Sequence, residues 1–376
     1  MKTMTLLAAL LLGTTAAAQT QTYPDLPTGI KNGVGGLIGN TIYAGLGTAG
    51  QKFYALNLAD AARGWTEVAA FPGAPRDQAS AAVVSGKLYV FGGLGKPTPE
   101  ATTSVFNQVH AYDPASNSWQ ELKTRAPVEI GGGTAVAQGD RILLFGGVNR
   151  NIFNGYFTDI AAAGTDKAAS DAVALAYFSG RPQDYFFGKE VQSYTPATNT
   201  WQSLGTAPFS GRAGAAISLQ GDTLNVVSGE IKPGLRTAQA GRATVKDGGV
   251  TWNEVPDLPS AANGAVQEGV AGAYTGSSQG ALLVAGGTNF PGSTAKFRSG
   301  VQYAHQGLTK TWNSDIYALR DGKWSVVGQL PQAQASGISI QRGDEVILVG
   351  GEVQGGDASP KVMSIALNGN GVEIKD

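Results

Sequence analysis

One sequence unit recurs six times along this chain of 376 residues, and internal repetition constrains the fold more than any other feature. Each unit has a β-rich run ending in glycine, then a strand carrying tyrosine and, after a tight turn, tryptophan. The second unit shows this order in KLYVFGG at 87–93, VHAYDP at 109–114 and NSWQEL at 117–122. A small apolar run precedes several units, as at 79–84 and 214–219, so we predict four strands per unit.

The other units vary this theme. Their glycine-ended runs lie at 42–47, 142–147, 226–229, 283–287 and 347–351, and the sixth unit lacks the tryptophan. The pattern resembles kelch repeats, whose units of about 50 residues each form a four-stranded propeller blade. The sequence therefore predicts an all-β fold, a six-bladed kelch-type β-propeller over residues 19–376. We expect Trp119 and Trp201 to pack between blades, and Trp312 to belong to an insertion in the fifth blade.

Two connections are longer than the repeat requires. The third unit is interrupted by an alanine-rich stretch, which predicts a short helical insertion at about 154–190. The fifth unit is enlarged over 289–310, where Phe290, Tyr303 and His305 lie. Because both segments follow a Gly-Gly strand, we expect them on the same face of the propeller.

The N-terminus has the order of a secretory signal peptide. Lys2 precedes an apolar run at 4–12, and small residues follow up to Ala18. The apolar run is well short of the roughly 20 residues that a membrane-spanning helix needs. We predict a signal peptide over residues 1–18 and an exported protein, in the periplasm or the extracellular space, that has no membrane partner.

Composition excludes several functional classes. The chain has no cysteine, which rules out disulfides, thiolate metal sites and cysteine nucleophiles. With only two histidines, His110 and His305, a zinc site would depend on carboxylates. The formal net charge is −1 and the basic residues are scattered, unlike a nucleic-acid-binding surface. We therefore predict no metal, no cofactor and no nucleic-acid partner.

Propellers bind ligands with loops at one mouth of the central channel. Glu230 directly follows Gly229 at a strand end, and the Pro-Gly turn at 233–234 brings Arg236 back towards it. A carboxylate and a guanidinium placed in this way can accept a proton and hold an anion. The alternative is a local Glu230–Lys232 or Glu230–Arg236 ion pair of little consequence.

Further candidates occupy equivalent loops. Arg76 leads into an inner strand, while Asn149 and Glu352 follow glycine-ended strands. For each of these three residues the alternative is a solvated side chain or a loop hydrogen bond.

Several loop runs resemble those of the bacterial N-acetylneuraminate epimerases. The runs are NRNIFNGYF at 149–157, DYFF at 184–187, GEIKPGLRT at 229–237, YAH at 303–305 and PRDQ at 75–78. The resemblance extends from about Thr41 to Gly351, which includes the helical insertion. It implies an isomerase that interconverts the α and β anomers of sialic acid through ring opening.

The resemblance also assigns roles to residues. Glu230 matches the proposed proton acceptor of the family, and Arg236 matches its companion at the substrate carboxylate. The predicted substrate-binding residues are Arg236, Arg76, Asn149, Tyr303 and His305. For His305 the alternative is a hydrogen-bonded loop residue, although it could also serve as a second proton-transfer group.

Other functions fit the residues less well. Galactose oxidase is a kelch enzyme, but its copper site needs a cysteine-linked tyrosine and this chain has no cysteine. One imperfect Asp-box at 245–252 resembles sialidases, which repeat that box. The main alternative is a non-catalytic exported kelch module that binds a sugar or a protein. The expected partner is a small molecule, and a homodimer is a candidate assembly.

Overall fold

The structure is a computed structural model that describes residues 23–127 and 130–376. Within these residues, six four-stranded antiparallel sheets follow one another along the chain, and each sheet is built from one continuous stretch. They are the blades of a propeller, as the six repeats predict. The predicted signal peptide, residues 1–18, lies outside the described residues.

Each blade runs from an inner first strand to an outer fourth strand. The strands of blade one are Val34–Ile38, Thr41–Gly45, Phe53–Asn57 and Thr66–Val68. Those of blade two are Ser80–Val84, Lys87–Phe91, Gln108–Asp113 and Ser118–Arg125. Those of blade three are Thr134–Gln138, Arg141–Phe145, Glu190–Thr195 and Thr200–Thr206.

The second half of the ring repeats this plan. The strands of blade four are Ala216–Gln220, Thr223–Val227, Ala240–Lys246 and Gly249–Glu254. Those of blade five are Tyr274–Ser278, Ala281–Ala285, Asp315–Arg320 and Lys323–Gln329. Those of blade six are Ile338–Arg342, Glu345–Val349, Val362–Asn368 and Gly371–Lys375.

Tryptophans join neighbouring blades. Trp119 of blade two donates its indole N–H to the carbonyl of Ala69 in the preceding connection, at 2.9 Å, and its ring meets the edge of Phe53. Trp201 of blade three donates to the Thr124 hydroxyl of blade two at 2.9 Å and packs against Phe91. These contacts confirm the predicted packing of the two tryptophans between blades, where each aromatic ring covers apolar surface of two sheets.

In residues 23–127 and 130–376, the first and last blades are each built from consecutive strands, with no strand exchanged between the two ends of the chain. Blade six is completed by its own last strand, and the segment before blade one crosses the seam between blades six and one as an irregular strap. In this strap the Leu26 amide donates to the Pro360 carbonyl at 2.8 Å, and Asp25 pairs with Lys361 at 2.8 Å. The strap therefore links the first and last blades through backbone and ionic contacts.

The helical insertion interrupts blade three between its second and third strands. It contains α1 (Arg150–Ala163) and α2 (Lys167–Phe178), and a shorter α3 (Ser293–Arg298) lies in the fifth-blade insertion. The helical part begins at Arg150, a few residues before the predicted start at about 154. Among the residues that the structure describes, no helix is both long and apolar enough to cross a membrane.

The 3₁₀ helices are Gly47–Ala49, Leu58–Arg63 and Pro182–Tyr185, and Leu58–Arg63 lies at the end of blade one opposite its glycine-ended second strand. Four two-stranded ladders lie at the other end of the blades, each containing a segment that follows a glycine-ended second strand: Leu94–Gly95 with Ser104–Val105, Glu230–Lys232 with Leu235–Arg236, Thr288–Asn289 with Thr311–Trp312, and Gln334–Ala335 with Glu352–Val353. The third of these ladders places Trp312 in the fifth-blade insertion, as predicted.

Candidate functional site

A short hairpin at the end of blade four carries Glu230 and Arg236. The chain leaves the second strand through Gly229, whose φ of 100° lies in the region that favours glycine. The amide of Glu230 then donates to the carbonyl of Ala213 at 2.8 Å, which fixes the direction of the strand. Glu230 and Arg236 are direct cross-strand partners, so their side chains emerge on the same face of the hairpin.

The two side chains form a partly buried ion pair. Nη2 of Arg236 lies 3.0 Å from Oε1 of Glu230, and the amide of Gly234 donates to the same oxygen at 3.3 Å. The side chains are 6% and 24% exposed, respectively. Among the described residues, Oε2 of Glu230 and both Nε and Nη1 of Arg236 lack hydrogen-bond partners. The pair thus keeps one acceptor oxygen and unused donors for a ligand.

His305 lies against the turn of this hairpin. A Cβ atom on Gly234 would be 1.8 Å from Nδ1 of His305, so only glycine allows this approach. Burial, followed by the positive charges of Arg236, Lys232 and Lys296, lowers the pKa of His305 to about 4. The imidazole is consequently neutral at neutral pH, and its Nδ1 has no partner within the described part of the protein.

Four rings form an aromatic cluster beside the ion pair: Phe178, Phe290, Tyr303 and His305. Phe178 at the end of α2 stacks on Tyr303 with centroids 5.0 Å apart and meets His305 edge-on at 5.0 Å. Phe290 packs against His305 at 5.2 Å, and the guanidinium of Arg236 lies 4.7 Å from the Phe290 ring. The blade-three and blade-five insertions therefore meet above the blade-four hairpin.

The channel below contains a cavity of about 680 Å³, lined mainly by the six first strands. Five residues at the end of the channel that carries the two-stranded ladders also border the cavity: Glu230, Arg236, Thr288, Lys310 and Glu352. Its volume is typical of small-molecule sites. Lys310 and Glu352 form a second ion pair with 2.7 Å between Nζ and Oε1, and the Lys310 ammonium lies 4.8 Å from the Trp312 ring.

Two predicted binding residues have other contacts. Arg76 is 4% exposed, donates to the carbonyl of Gly92 at 3.1 Å, and has its guanidinium near the rings of Phe71 and Phe106. Burial lowers the pKa of Arg76 to about 10. Asn149 caps α1 by accepting hydrogen bonds from the amides of residues 151 and 152. Because these contacts within the protein already use both side chains, we leave Arg76 and Asn149 out of the proposed substrate contacts.

The structure thus brings Glu230, Arg236, Tyr303 and His305 together, and it adds residues that the sequence does not single out. These are Phe178 and Lys310. Phe178 stands in an alanine-rich helix, and Lys310 meets a carboxylate on another blade, so neither position carries a local signal. Lys232 is an alternative ion-pair partner of Glu230 by sequence, but in the structure Glu230 pairs with Arg236, and the Lys232 ammonium donates to backbone carbonyls instead.

Fold and site together define a kelch-type β-propeller with a carboxylate–guanidinium pair at the mouth of a cavity of small-molecule size. The family model described as N-acetylneuraminate epimerase matches residues 23–374. The chain belongs to this family.

Individual relatives agree over nearly the whole chain. The chain is 48% identical over 374 residues to the N-acetylneuraminate epimerase of Haemophilus influenzae strain 86-028NP, with 99% of each protein covered. It is 47% identical over 360 residues to the N-acetylneuraminate epimerase of Yersinia enterocolitica, covering 95% of this chain and 92% of that protein. The solved structure of YjhT superposes with a TM-score of 0.89 at 40% identity, covering 94% of this chain and 99% of that one.

Proposed function

We propose that this protein is an isomerase that interconverts the α and β anomers of N-acetylneuraminate, with Glu230 as the proton acceptor. The observation that carries the proposal is the state of the ion pair at the cavity mouth. Within the part of the chain that the structure describes, Oε2 of Glu230 has no protein partner, while Oε1 is held by Arg236 and by the amide of Gly234. One oxygen is therefore fixed in place and the other is available for chemistry.

The reaction needs two proton movements. The free carboxylate oxygen of Glu230 takes the proton of the anomeric hydroxyl, and a carbonyl forms as the bond between the anomeric carbon and the ring oxygen breaks. The protonated Glu230 carboxyl returns this proton to the ring oxygen, directly or through water, which gives the open-chain ketone and restores the carboxylate. Rotation about the bond next to the ketone and reclosure on its other face, with both proton transfers reversed, yields the other anomer.

Arg236 is suited to the substrate carboxylate. It borders the cavity, and two of its three guanidinium nitrogens have no partner among the described residues. A buried guanidinium short of acceptors gains strong charge-assisted hydrogen bonds from a carboxylate. We assign Tyr303 and the neutral His305 to contacts with the sugar, because both belong to the aromatic cluster that stands over the pair.

Export through the N-terminus is part of the proposal. The charged, apolar and small-residue order of residues 1–18 supports removal of a signal peptide and residence in the periplasm. Mass spectrometry of the protein from the periplasmic fraction is expected to find a chain that begins after Ala18. Intact residues 1–18 on periplasmic protein would contradict cleavage.

Exchange NMR separates the enzyme from a non-catalytic binding module. Saturation of one anomer of N-acetylneuraminate should be transferred to the other faster with protein than without it. The methyl glycoside has no anomeric hydroxyl and cannot open, so it should bind without any exchange. Binding of both sugars with exchange at the spontaneous rate would refute the proposed function and favour the binding module.

A further inference from the structure

Lys232 is a fully buried lysine in the hairpin that carries the ion pair. Its residue exposure is 0%, and it lies two positions after Glu230 in the same short strand. No salt bridge joins it to a carboxylate within residues 23–127 and 130–376. A charged side chain buried without a counterion is costly, so its hydrogen bonds must satisfy it.

Three backbone carbonyls surround the Lys232 ammonium. Nζ lies 3.0 Å from the carbonyl oxygen of Phe178, 2.5 Å from that of Gly180 and 2.7 Å from that of Gln302. An ammonium has three N–H bonds, and these three acceptors use all of them. The Tyr185 ring, 5.4 Å away, adds a cation–π contact. The C-terminus of a helix favours a nearby cation, and the Lys232 ammonium lies beside the last turn of α2.

The three carbonyls belong to the segments that build the aromatic cluster. Phe178 is itself a member, Gly180 follows it after α2, and Gln302 directly precedes Tyr303. Phe178 and Tyr303 stack on each other at 5.0 Å. One ammonium therefore bonds to both sides of this stack from a position next to Glu230.

We propose that Lys232 is a positioning residue for the reaction, whose ammonium fastens the end of α2 and the fifth-blade insertion onto the hairpin that carries Glu230 and Arg236. This inference rests on the proposed function. Without the ammonium, the three carbonyls lose their shared donor and the aromatic cluster loses its anchor to the hairpin. Small displacements of catalytic groups reduce rates strongly, so these hydrogen bonds of the Lys232 ammonium matter for turnover.

The positioning role of Lys232 also predicts that the rate of anomer exchange depends on pH. Burial lowers the pKa of Lys232 to about 8, and a neutral amine has only two N–H bonds for three carbonyls. Titratable or charged groups near it come from each packed element: Tyr177 on α2; Arg181, Asp184 and Tyr185 after it; Lys296, Tyr303 and His305 in the fifth-blade insertion; and Glu230 and Arg236 on its own hairpin. The pKa of Asp184 is lowered from 3.8, that of Tyr185 is raised to about 12 and that of His305 is lowered to about 4. Between about pH 7 and 9, Asp184 therefore stays ionised, and Tyr185 and His305 stay neutral.

The test compares anomer exchange by wild type, Lys232→Met and Lys232→Arg, with Lys246→Met as the control. Lys246 is an exposed lysine at the far end of the same blade. Lys232→Met is expected to lower kcat/KM roughly 10- to 100-fold, while Lys246→Met stays at the wild-type value. Lys232→Arg, which keeps charge and donors, should recover part of the loss. Equal activity in the Lys232→Met and Lys246→Met variants would overturn the positioning role.

The pH profile of anomer exchange, measured for the wild type and for Lys232→Met, supplies a second test. Exchange above the spontaneous rate should fall as pH rises through about 8, where Lys232 loses its proton. The melting temperature should not fall with it: a lysine with a lowered folded pKa binds fewer protons folded than unfolded, so its contribution to stability rises with pH. Constant exchange up to about pH 9, or the same alkaline loss in Lys232→Met, would overturn the proposal. Absence of any exchange in the wild type would instead refute the proposed function.

Discussion

Replacing Arg236 with lysine separates charge from hydrogen-bonding geometry at the proposed carboxylate site. The guanidinium uses Nη2 on Glu230, at 3.0 Å, and its Nε and Nη1 lack partners among the described residues. Lysine keeps the positive charge but cannot present two parallel N–H bonds to a carboxylate. The loss of one charge-assisted hydrogen bond is worth about 1.5–3 kcal/mol. Arg236→Lys should therefore bind N-acetylneuraminate roughly 10- to 100-fold more weakly.

Calorimetry with two ligands isolates the contribution of the contact between Arg236 and the substrate carboxylate. The lysine variant also loses the contact between the guanidinium and the Phe290 ring, at 4.7 Å, and that loss affects any ligand equally. A neutral analogue with the carboxylate reduced to an alcohol should bind wild type and variant almost alike. Arg242→Lys, which changes an arginine bonded to Asn225 within the same blade, is the matched control and should bind like wild type. An equal penalty for the acid and the alcohol would refute the assignment.

Three further predictions concern stability and supporting residues. Trp201→Ala should lower the melting temperature more than Trp312→Ala, because truncating an aromatic packed between blades costs about 3 kcal/mol or more; equal small effects would count against blade packing. Arg76→Lys should lower the melting temperature and leave substrate affinity unchanged, since its guanidinium bonds to the Gly92 carbonyl; weaker binding by a stable variant would return Arg76 to the site. Burial lowers the pKa of His110 to about 4, although Glu121 lies 3.7 Å away. The unfolded chain then binds the extra proton first, so stability is lost as pH falls from about 6.5 towards 4, and His110→Phe should show a smaller drop in melting temperature between pH 7 and 5.

The repeats made the fold predictable because each blade depends on local features. A glycine ends the second strand where the chain must turn, and a tryptophan recurs where one sheet meets the next. Trp119 and Trp201 lie where this logic places them, and the last strand, Gly371–Lys375, completes blade six from the C-terminal repeat. The Glu230–Arg236 pair was also predictable, because a Pro-Gly turn between the two residues returns the chain on itself.

Contacts between distant segments could not be predicted in the same way. Lys310 and Glu352 are 42 positions apart and meet only because two blades face one channel. Arg76 has the residue type and loop position of an anion-binding group, yet the rings of Phe71 and Phe106 hold it in the interior. For Asn149 a structural signal was present, since asparagine before a helix is a frequent N-cap. The position of Asn149 after a glycine-ended strand is equally compatible with a ligand-binding residue at the mouth of the channel.

The most direct test of the account is anomer exchange by Glu230→Gln. This change keeps the size of the side chain and removes the base, so exchange above the spontaneous rate should slow by about 100-fold or more. Glu352→Gln, at the other ion pair of the cavity mouth, is the matched control. Saturation-transfer NMR on N-acetylneuraminate should show the loss in Glu230→Gln alone, with sugar binding retained. Near-normal exchange by Glu230→Gln would contradict the central claim that this carboxylate accepts the anomeric proton.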